Sequence, residues 1–202
     1  MTVRAAQYRW LRAFPWLWLV LAIPAVPMIL GHALGGADAA DLLHPSGEMS
    51  VRMMIVAMVA GPLGRLFGTR FRALRWLLAR RRAFGVAAFG YALLHLVFYI
   101  FDMQTLKAML DEIGAPGIWT GWLALVLMLP PAITSNDKAM RALKAGWKKV
   151  QWLVFPTALF TVIHWGLLFY EWGPALVHIA PVVLLHVALF VKSSLRKLRM
   201  SA

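Results

Sequence analysis

Long apolar segments dominate this chain of 202 residues. A helix needs about 20 apolar residues to cross ~30 Å of hydrocarbon, and inside the bilayer a helix satisfies its own backbone N–H and C=O groups. Six such segments lie at about 14–30, 51–68, 84–101, 117–134, 150–170 and 174–191. We therefore predict an all-α integral membrane protein, a six-helix bundle that forms a single domain over residues 1–202.

The basic residues predict how this bundle is oriented. Six spans place 19 of the 21 Lys and Arg residues on one side, in the N-terminus, in 65–82, in 138–149 and in the tail from Lys192. Seven of the eight acids fall on the opposite side. Lys and Arg collect at the cytoplasmic ends of spans, so we expect both termini on the cytoplasmic side of the membrane.

Charge and composition exclude several classes of protein. The net charge of +13 does not indicate nucleic-acid binding, because the basic residues flank spans instead of forming one patch. The seven arginines of 65–82 favour contact with anionic lipid, or with a cytosolic donor, a flavin or a quinone. The chain has no cysteine, which excludes disulfides, iron–sulfur clusters and covalently attached haem. Prolines at 15, 24 and 27 favour a retained first helix over a cleaved leader.

Two histidines, His95 and His164, lie near the middle of apolar segments that contain almost no other ionisable residue. Ionisable residues inside a membrane usually mark function, and neutral imidazole binds haem iron. Counted from the basic side, the two depths differ by only ~4–5 Å at 1.5 Å per residue. The pair therefore predicts a bis-histidine haem site, with both residues as axial iron ligands. A hydrogen bond from each imidazole to a backbone carbonyl is the simpler alternative.

The surrounding residues leave open how such a site is built. Helical spacing places three small residues on the face of His95 and two threonines on the face of His164: Gly85, Ala88, Ala92, Thr157 and Thr161. Small residues either let helices approach closely or leave room for a flat macrocycle. His186 is a candidate ligand for a second cofactor. The sequence does not indicate a hydrolase. It contains neither an H-E-x-x-H motif nor a nucleophile with an adjacent base.

Several motifs resemble those of one family. They are Arg81 to Gly85 followed by Tyr91 to Leu96, Ile133 to Asn136 followed by Gly146-Trp147, and Gly35 to Asp38 followed by His44-Pro45-Ser46-Gly47. In order and spacing they are similar to MsrQ (YedZ), a family of ferric reductase-like transmembrane domains. The resemblance covers nearly the whole chain.

The resemblance implies an electron conduit in a bacterial inner membrane. In that family haem b takes electrons from a cytosolic flavin reductase or from membrane quinol, with FMN or quinone as further cofactors, and passes them to a periplasmic molybdopterin-dependent reductase that repairs methionine sulfoxide. The family's histidines map onto His95 and His164, while another family histidine falls on Gln151. This departure implies one haem, or a second haem bound otherwise, for instance by His186.

Three functions are therefore compared. The first is a haem b electron-transfer subunit whose final substrate chemistry belongs to a partner protein. The second is a ferric or metal-ion reductase with another acceptor. The third is a transporter or structural membrane subunit without a cofactor, with which the kinking prolines of several spans are compatible.

Overall fold

The computed structural model describes residues 15–170 and 172–201, and this part of the chain is helical throughout, without strands. The basic residues Arg4, Arg9 and Arg12 and the acid Glu171, which the topology prediction uses, lie outside the described residues. The helices are α1 (Pro15–Ala22), α2 (Ala25–Ala33), α3 (Ala39–Phe67), α4 (Arg72–Met103), α5 (Leu106–Glu112), α6 (Pro116–Ile133), α7 (Asp137–Leu143), α8 (Ala145–Gln151), α9 (Val154–Phe169) and α10 (Trp172–Ser201).

Within the described residues, five helical stretches are long and apolar enough to cross a membrane: α3, α4, α6, α8 with α9, and α10. The first predicted span is a bent pair, because α1 and α2 meet at 52°. Pro24 and Pro27 lie at this bend, where proline removes a backbone donor and cannot continue a regular helix. The described part of the chain is therefore all-helical, as predicted, with five candidate membrane spans, or six if the bent pair is one span.

Helices α3 and α4, which form the first helical hairpin, are longer than the apolar pattern predicts. Helix α3 begins at Ala39 and not near residue 51, and α4 begins at Arg72 and not near residue 84. The two added segments contain charged residues, so a prediction based on hydropathy assigns them to loops. In the structure they are helical and continue α3 and α4. The acidic segment before residue 51 and much of the arginine-rich segment are thus helical.

The fifth predicted span is interrupted near its start. Helix α8 ends at Gln151 and α9 begins at Val154. Pro156 has no N–H to donate to the carbonyl of Trp152, four residues earlier, and its ring crowds that carbonyl. The regular helical pattern is therefore interrupted one turn before the proline.

The bundle is held by a small core at its centre. Helices α3 and α4 form one extensively packed antiparallel pair, α6 and α9 form another, and α10 packs against α3 and α9. The main buried cluster draws one or two residues from each of these helices: Met54, Met58, Ala88, Met128, Ala158 and Val182. Many large apolar side chains stay exposed on the outside, as in a bundle surrounded by lipid.

Charge distinguishes the two ends of the bundle. The basic end is defined by residues 65–82 and 138–149, and the acidic end by residues 38–48 and 102–112. At the basic end, the Nη1 atom of Arg82 on α4 lies 2.9 Å from Oδ1 of Asp137 on α7. This ion pair fixes the short helix α7 against the first hairpin.

Candidate functional site

The described helices line two large cavities. The acidic-end cavity has a volume of about 360 Å³, and residues of α3, α4, α6 and α9 line it, among them His95 and His164. The basic-end cavity has a volume of about 630 Å³, and its lining includes Arg81 and His186. Both volumes lie in the range of ~300–1,000 Å³ that ligand sites occupy. Met54, Met128 and Thr157 line both, so the two cavities adjoin.

The structure brings His95 and His164 together. Their imidazole rings lie 6.1 Å apart between centroids and are nearly perpendicular, at 88°. His95 comes from α4 and His164 from α9, so the contact joins the two antiparallel helix pairs. The close approach supports the depth match predicted from the sequence, while the role of these residues as iron ligands stays a prediction.

Backbone carbonyls of neighbouring helices hold the two imidazoles. Nδ1 of His95 lies 2.9 Å from the carbonyl oxygen of Leu43 on α3. Nδ1 of His164 lies 2.6 Å from the carbonyl oxygen of Gly117 on α6. A carbonyl can only accept, so each Nδ1 carries the proton, and each Nε2 of a neutral ring keeps its lone pair. This is the tautomer in which histidine binds metal through Nε2.

The simpler alternative of the sequence analysis, a histidine bonded to a backbone carbonyl, is thus also present. It does not compete with metal binding, because the carbonyl uses one nitrogen and leaves the other. Ligating histidines commonly donate their second nitrogen's proton to a carbonyl or carboxylate, which fixes the ring and its tautomer.

Two glycines make room for the histidines. A Cβ atom added to Gly47 would lie 3.2 Å from Nδ1 of His95. A Cβ added to Gly121 would lie 2.5 Å from Nδ1 of His164, closer than real Cβ atoms approach. Because each glycine lacks a side chain, the imidazole of a neighbouring helix can reach the carbonyl that lies four residues before that glycine.

The two glycines belong to the same five-residue arrangement. In residues 43–47 and 117–121, the first residue supplies the carbonyl, the fourth a hydroxyl and the fifth the glycine. Oγ of Ser46 donates to the carbonyl of Leu43 at 3.0 Å, and Oγ1 of Thr120 donates to that of Gly117 at 2.9 Å. We call these two segments the histidine cradles.

Our sequence analysis did not identify the cradles as part of the site. Gly117 and Gly121 form a G-x-x-x-G pattern, which signals close helix packing in membranes and was available in the sequence. The pairing of each cradle with one particular histidine was not available, because it depends on which helices are neighbours.

The face of α4 that carries small residues both packs against a neighbouring helix and borders the cavities, the two uses that the sequence left open. Ala88 is fully buried in the core, and an added Cβ on Gly85 would meet Ala57 of α3 at 3.9 Å. The same face also borders the two cavities, Gly85 and Ala88 at the basic end and Ala92 at the acidic end. Thr157 and Thr161 line the acidic-end cavity from α9, as their spacing with His164 predicts.

His186 lies apart from this pair. It lines the basic-end cavity, its Nδ1 lies 2.8 Å from the carbonyl of Val182 on its own helix, and its ring packs edge-on against Phe155. No second histidine of the described residues lines this cavity. The structure therefore does not place a histidine opposite His186.

Gln151 has a structural role at the basic end. Its Nε2 donates to the carbonyl of Pro131 and to Oγ1 of Thr134, both at 3.1 Å. Thus one amide NH₂ joins α8 to the end of α6 through two donors. A neutral imidazole has a single N–H and cannot make both bonds.

The remaining histidines lie toward the acidic end. His178 approaches Glu48 with its Nε2 at 3.3 Å from Oε1 and stacks against Trp165. His44 packs edge-on against Trp165 and lines the acidic-end cavity. Within the described residues, no group of three or more His, Asp or Glu side chains is arranged to hold a bare metal ion.

Comparison with known proteins gives the family. Residues 46–162 match the family described as ferric reductase like transmembrane component. The protein-methionine-sulfoxide reductase heme-binding subunit MsrQ of Brucella anthropi is 31% identical over 180 residues, which cover 85% of this chain and 76% of the relative. The chain belongs to the MsrQ family of ferric reductase-like transmembrane proteins.

Further MsrQ relatives differ in how much of their length aligns with this chain. The one from Rhizobium meliloti is 31% identical over 169 residues, which cover 79% of this chain and 76% of the relative. The one from Xanthomonas oryzae pv. oryzae is 33% identical over 135 residues, which cover 65% of this chain and 60% of the relative. The chain thus spans less than two thirds of the Xanthomonas MsrQ. No solved structure matches the chain.

These comparisons confirm the family resemblance that the motifs indicate. The family match includes His95 and the cradle at 117–121, and it ends two residues before His164. His164 thus lies just outside the matched segment, and the structure places its ring beside that of His95.

Proposed function

We propose that the protein is a membrane electron-transfer subunit that binds haem b between His95 and His164. The observation that carries this proposal is the pair of adjacent imidazoles, each held through Nδ1 by a carbonyl of another helix and each left with Nε2 as a ligand. The relatives named MsrQ are described as heme-binding subunits, which supports the same cofactor.

The residues of the acidic-end cavity fit such a group. Two neutral nitrogen ligands approach from opposite helix pairs, and small residues from three helices, Gly47, Ala92 and Gly121, line the wall. Most of the remaining lining is aromatic or aliphatic, as a largely apolar macrocycle requires. A haem held there supplies a carrier for one electron, while the protein supplies the ligands, the burial and the distance to its redox partners.

We propose one haem per chain. His186 is the candidate for a second site, and it lies in a cavity that no other described histidine lines. Gln151, at the position of a family histidine, is engaged by the end of α6. A second haem would therefore need an axial ligand other than a histidine pair.

Electrons would enter at the basic end and leave at the acidic end. We assign the basic end to the cytoplasm and the acidic end to the periplasm, because basic residues collect at cytoplasmic span ends. The basic-end cavity is lined by Arg65, Arg81, Arg82 and Lys148, which suits an anionic flavin such as FMN or a quinone head group. Membrane quinol or a cytosolic flavin reductase is the proposed donor.

The proposed acceptor is a periplasmic reductase of the methionine-sulfoxide repair type that carries a molybdopterin cofactor. The name of the relatives supports the repair system, and the family resemblance supports the molybdopterin cofactor. The substrate chemistry would then take place on that partner. A metal-ion acceptor is the competing outcome, which reduction assays with ferric chelates in place of the partner distinguish.

The first test is a dithionite-reduced minus oxidised spectrum of the purified protein with pyridine haemochrome quantification. We expect a b-type spectrum at one haem per chain. His95→Ala and His164→Ala should each remove the haem while the protein still inserts into the membrane, because each removes one of two axial ligands.

His186→Ala is the matched control, since it replaces a third membrane histidine and should leave the haem content unchanged. Two haems per chain, of which His186→Ala removes one, would contradict the single site. A protein that binds no haem even after reconstitution would favour the cofactor-free membrane subunit.

A further inference from the structure

Two donors are buried in the acidic-end cavity without an acceptor. The hydroxyl of Tyr99 and the indole N–H of Trp165 have no hydrogen-bond partner in the described part of the chain. Both residues line the cavity that contains His95 and His164. Buried donors are nearly always satisfied, so two orphaned donors beside one cavity indicate that its occupant supplies acceptors.

The other hydroxyl donors that line the cavity are already satisfied by the protein. Ser50 donates to the carbonyl of Ala88, Thr157 to that of Leu153, and Thr161 to that of Thr157. The lining contains no Lys or Arg among the described residues, although Glu48, Asp102 and Glu112 belong to it. An acceptor in this cavity is therefore met by neutral donors and not by cations.

Each of the two unsatisfied donors lies within one helical turn of one of the histidines in the sequence. Tyr99 follows His95 by four residues on α4, so the two share a helix face, with Tyr99 one turn nearer the acidic end. Trp165 directly follows His164 on α9. Ring contacts fix both side chains, that of Tyr99 with Trp122 and that of Trp165 with His44 and His178.

Building on the proposed haem site, we propose that Tyr99 and Trp165 donate hydrogen bonds to the two carboxylate side chains of the haem. Haem b carries two such groups at one edge of an otherwise apolar macrocycle, and carboxylate oxygens accept hydrogen bonds strongly from O–H and N–H groups. The arrangement turns the acidic edge of the cofactor toward the acidic end of the bundle.

The choice of neutral donors has a consequence for the redox potential. A phenol and an indole satisfy the oxygen lone pairs without cancelling the negative charge, whereas Lys or Arg would form ion pairs. Uncompensated negative charge close to the iron favours the ferric over the ferrous state. The three carboxylates of the cavity add to this effect, so the site is built to give up its electron readily.

The test compares two porphyrins on the same protein. The full chain, purified in detergent without haem, is titrated with ferric haem b and with its dimethyl ester, in which both carboxylates are masked. We expect Tyr99→Phe and Trp165→Phe each to weaken the binding of haem b by about tenfold, because a charge-assisted hydrogen bond is lost. Binding of the dimethyl ester should change much less. The midpoint potential of each haem-loaded variant should fall, because a donor to the carboxylates is lost.

Matched control variants separate the donors from general damage to the fold. Tyr91→Phe makes the same chemical change on the same helix, where the hydroxyl donates to the carbonyl of Leu21 at 2.7 Å and does not line the cavity. Trp119→Phe removes an indole that is 44% exposed and also lies outside the lining. Both controls should bind the two porphyrins as the unsubstituted chain does.

The outcomes distinguish this inference from the function on which it rests. If Tyr99→Phe and Trp165→Phe weaken both porphyrins equally, or weaken neither, the donors do not act on the carboxylates and the inference is wrong. If the unsubstituted chain binds neither porphyrin, the proposed function itself fails.

Discussion

At the scale of single residues, the site depends on groups that carry no chemistry of their own. Each imidazole is placed by one carbonyl, one hydroxyl and one glycine of a cradle on another helix. The hydroxyl of Ser46 also lies 3.3 Å from Nδ1 of His95, so it borders the ring as well as the carbonyl. The cradles therefore set the tautomer and position of the two imidazoles.

We predict that Gly121→Ala displaces His164 and strongly reduces haem binding. The added methyl group would lie 2.5 Å from Nδ1 and 2.6 Å from Cε1 of the imidazole, so the ring must leave its carbonyl. Gly47→Ala should have a weaker effect, since its closest approach to His95 is 3.2 Å. Haem content per chain and the Soret band position measure both.

Gly90→Ala is the matched control for these variants. Gly90 lies inside α4, and an added Cβ would have no atom within 4 Å. Alanine favours a helix over glycine, so this variant should retain full haem content. Equal haem content in Gly121→Ala and Gly90→Ala would show that the contact with His164 is not needed.

At the scale of helices, ion pairs and polar side chains fix the short elements at the basic end. The Arg82–Asp137 pair joins α4 to α7, with side chains only 14% and 21% exposed. The indole N–H of Trp147 on α8 donates to the carbonyl of Thr134 at 2.9 Å, next to the bonds made by Gln151. These contacts join α4, α6, α7 and α8 around the basic-end cavity.

We predict that Asp137→Ala destabilises the bundle by about 1–3 kcal/mol, because it removes a charged acceptor from a mostly buried arginine. Thermal unfolding in detergent measures the loss as a lower Tm. Asp111→Ala is the control, since its partner Lys107 is 86% exposed and surface pairs contribute little. A Tm that falls equally in both variants would contradict a specific role for Asp137.

Part of the site was predictable from the sequence at this scale, and part was not. Periodicity placed His95 with Ala92, and His164 with Thr161, on faces that do line the acidic-end cavity. It could not show that Gln151 engages the end of α6, because that contact joins residues 20 apart through the turn of a helix pair. Nor could it show that Tyr99 and Trp165 lack acceptors, since this depends on every neighbouring helix.

At the scale of the whole molecule, the two ends of the bundle differ in charge and in cavity chemistry. Basic side chains line one cavity, while carboxylates and neutral donors line the other. The cavities adjoin at Met54, Met128 and Thr157 near the main core cluster. The two adjoining cavities of the bundle thus differ in electrostatic character.

We predict that the acidic end faces the periplasm and the basic end the cytoplasm. The chain has no cysteine, so single substitutions at exposed loop residues report accessibility without background. In intact cells with an opened outer membrane, an impermeant maleimide should label Gly114→Cys and should label Thr69→Cys only after the inner membrane is disrupted. The reverse pattern would contradict the proposed orientation and the direction of electron flow.

The sequence by itself determined the class of this protein. The length of an apolar segment and the charge of its flanks can be read directly from the sequence, and the bilayer selects helices by these two properties. They therefore predicted the helices, the membrane and the two histidines at one depth. The tertiary structure decided the site: which carbonyl and glycine meet each imidazole, and which donors stay unsatisfied. The physical reason is that packing and hydrogen bonding join atoms of different helices, and their distances are set only when the bundle assembles.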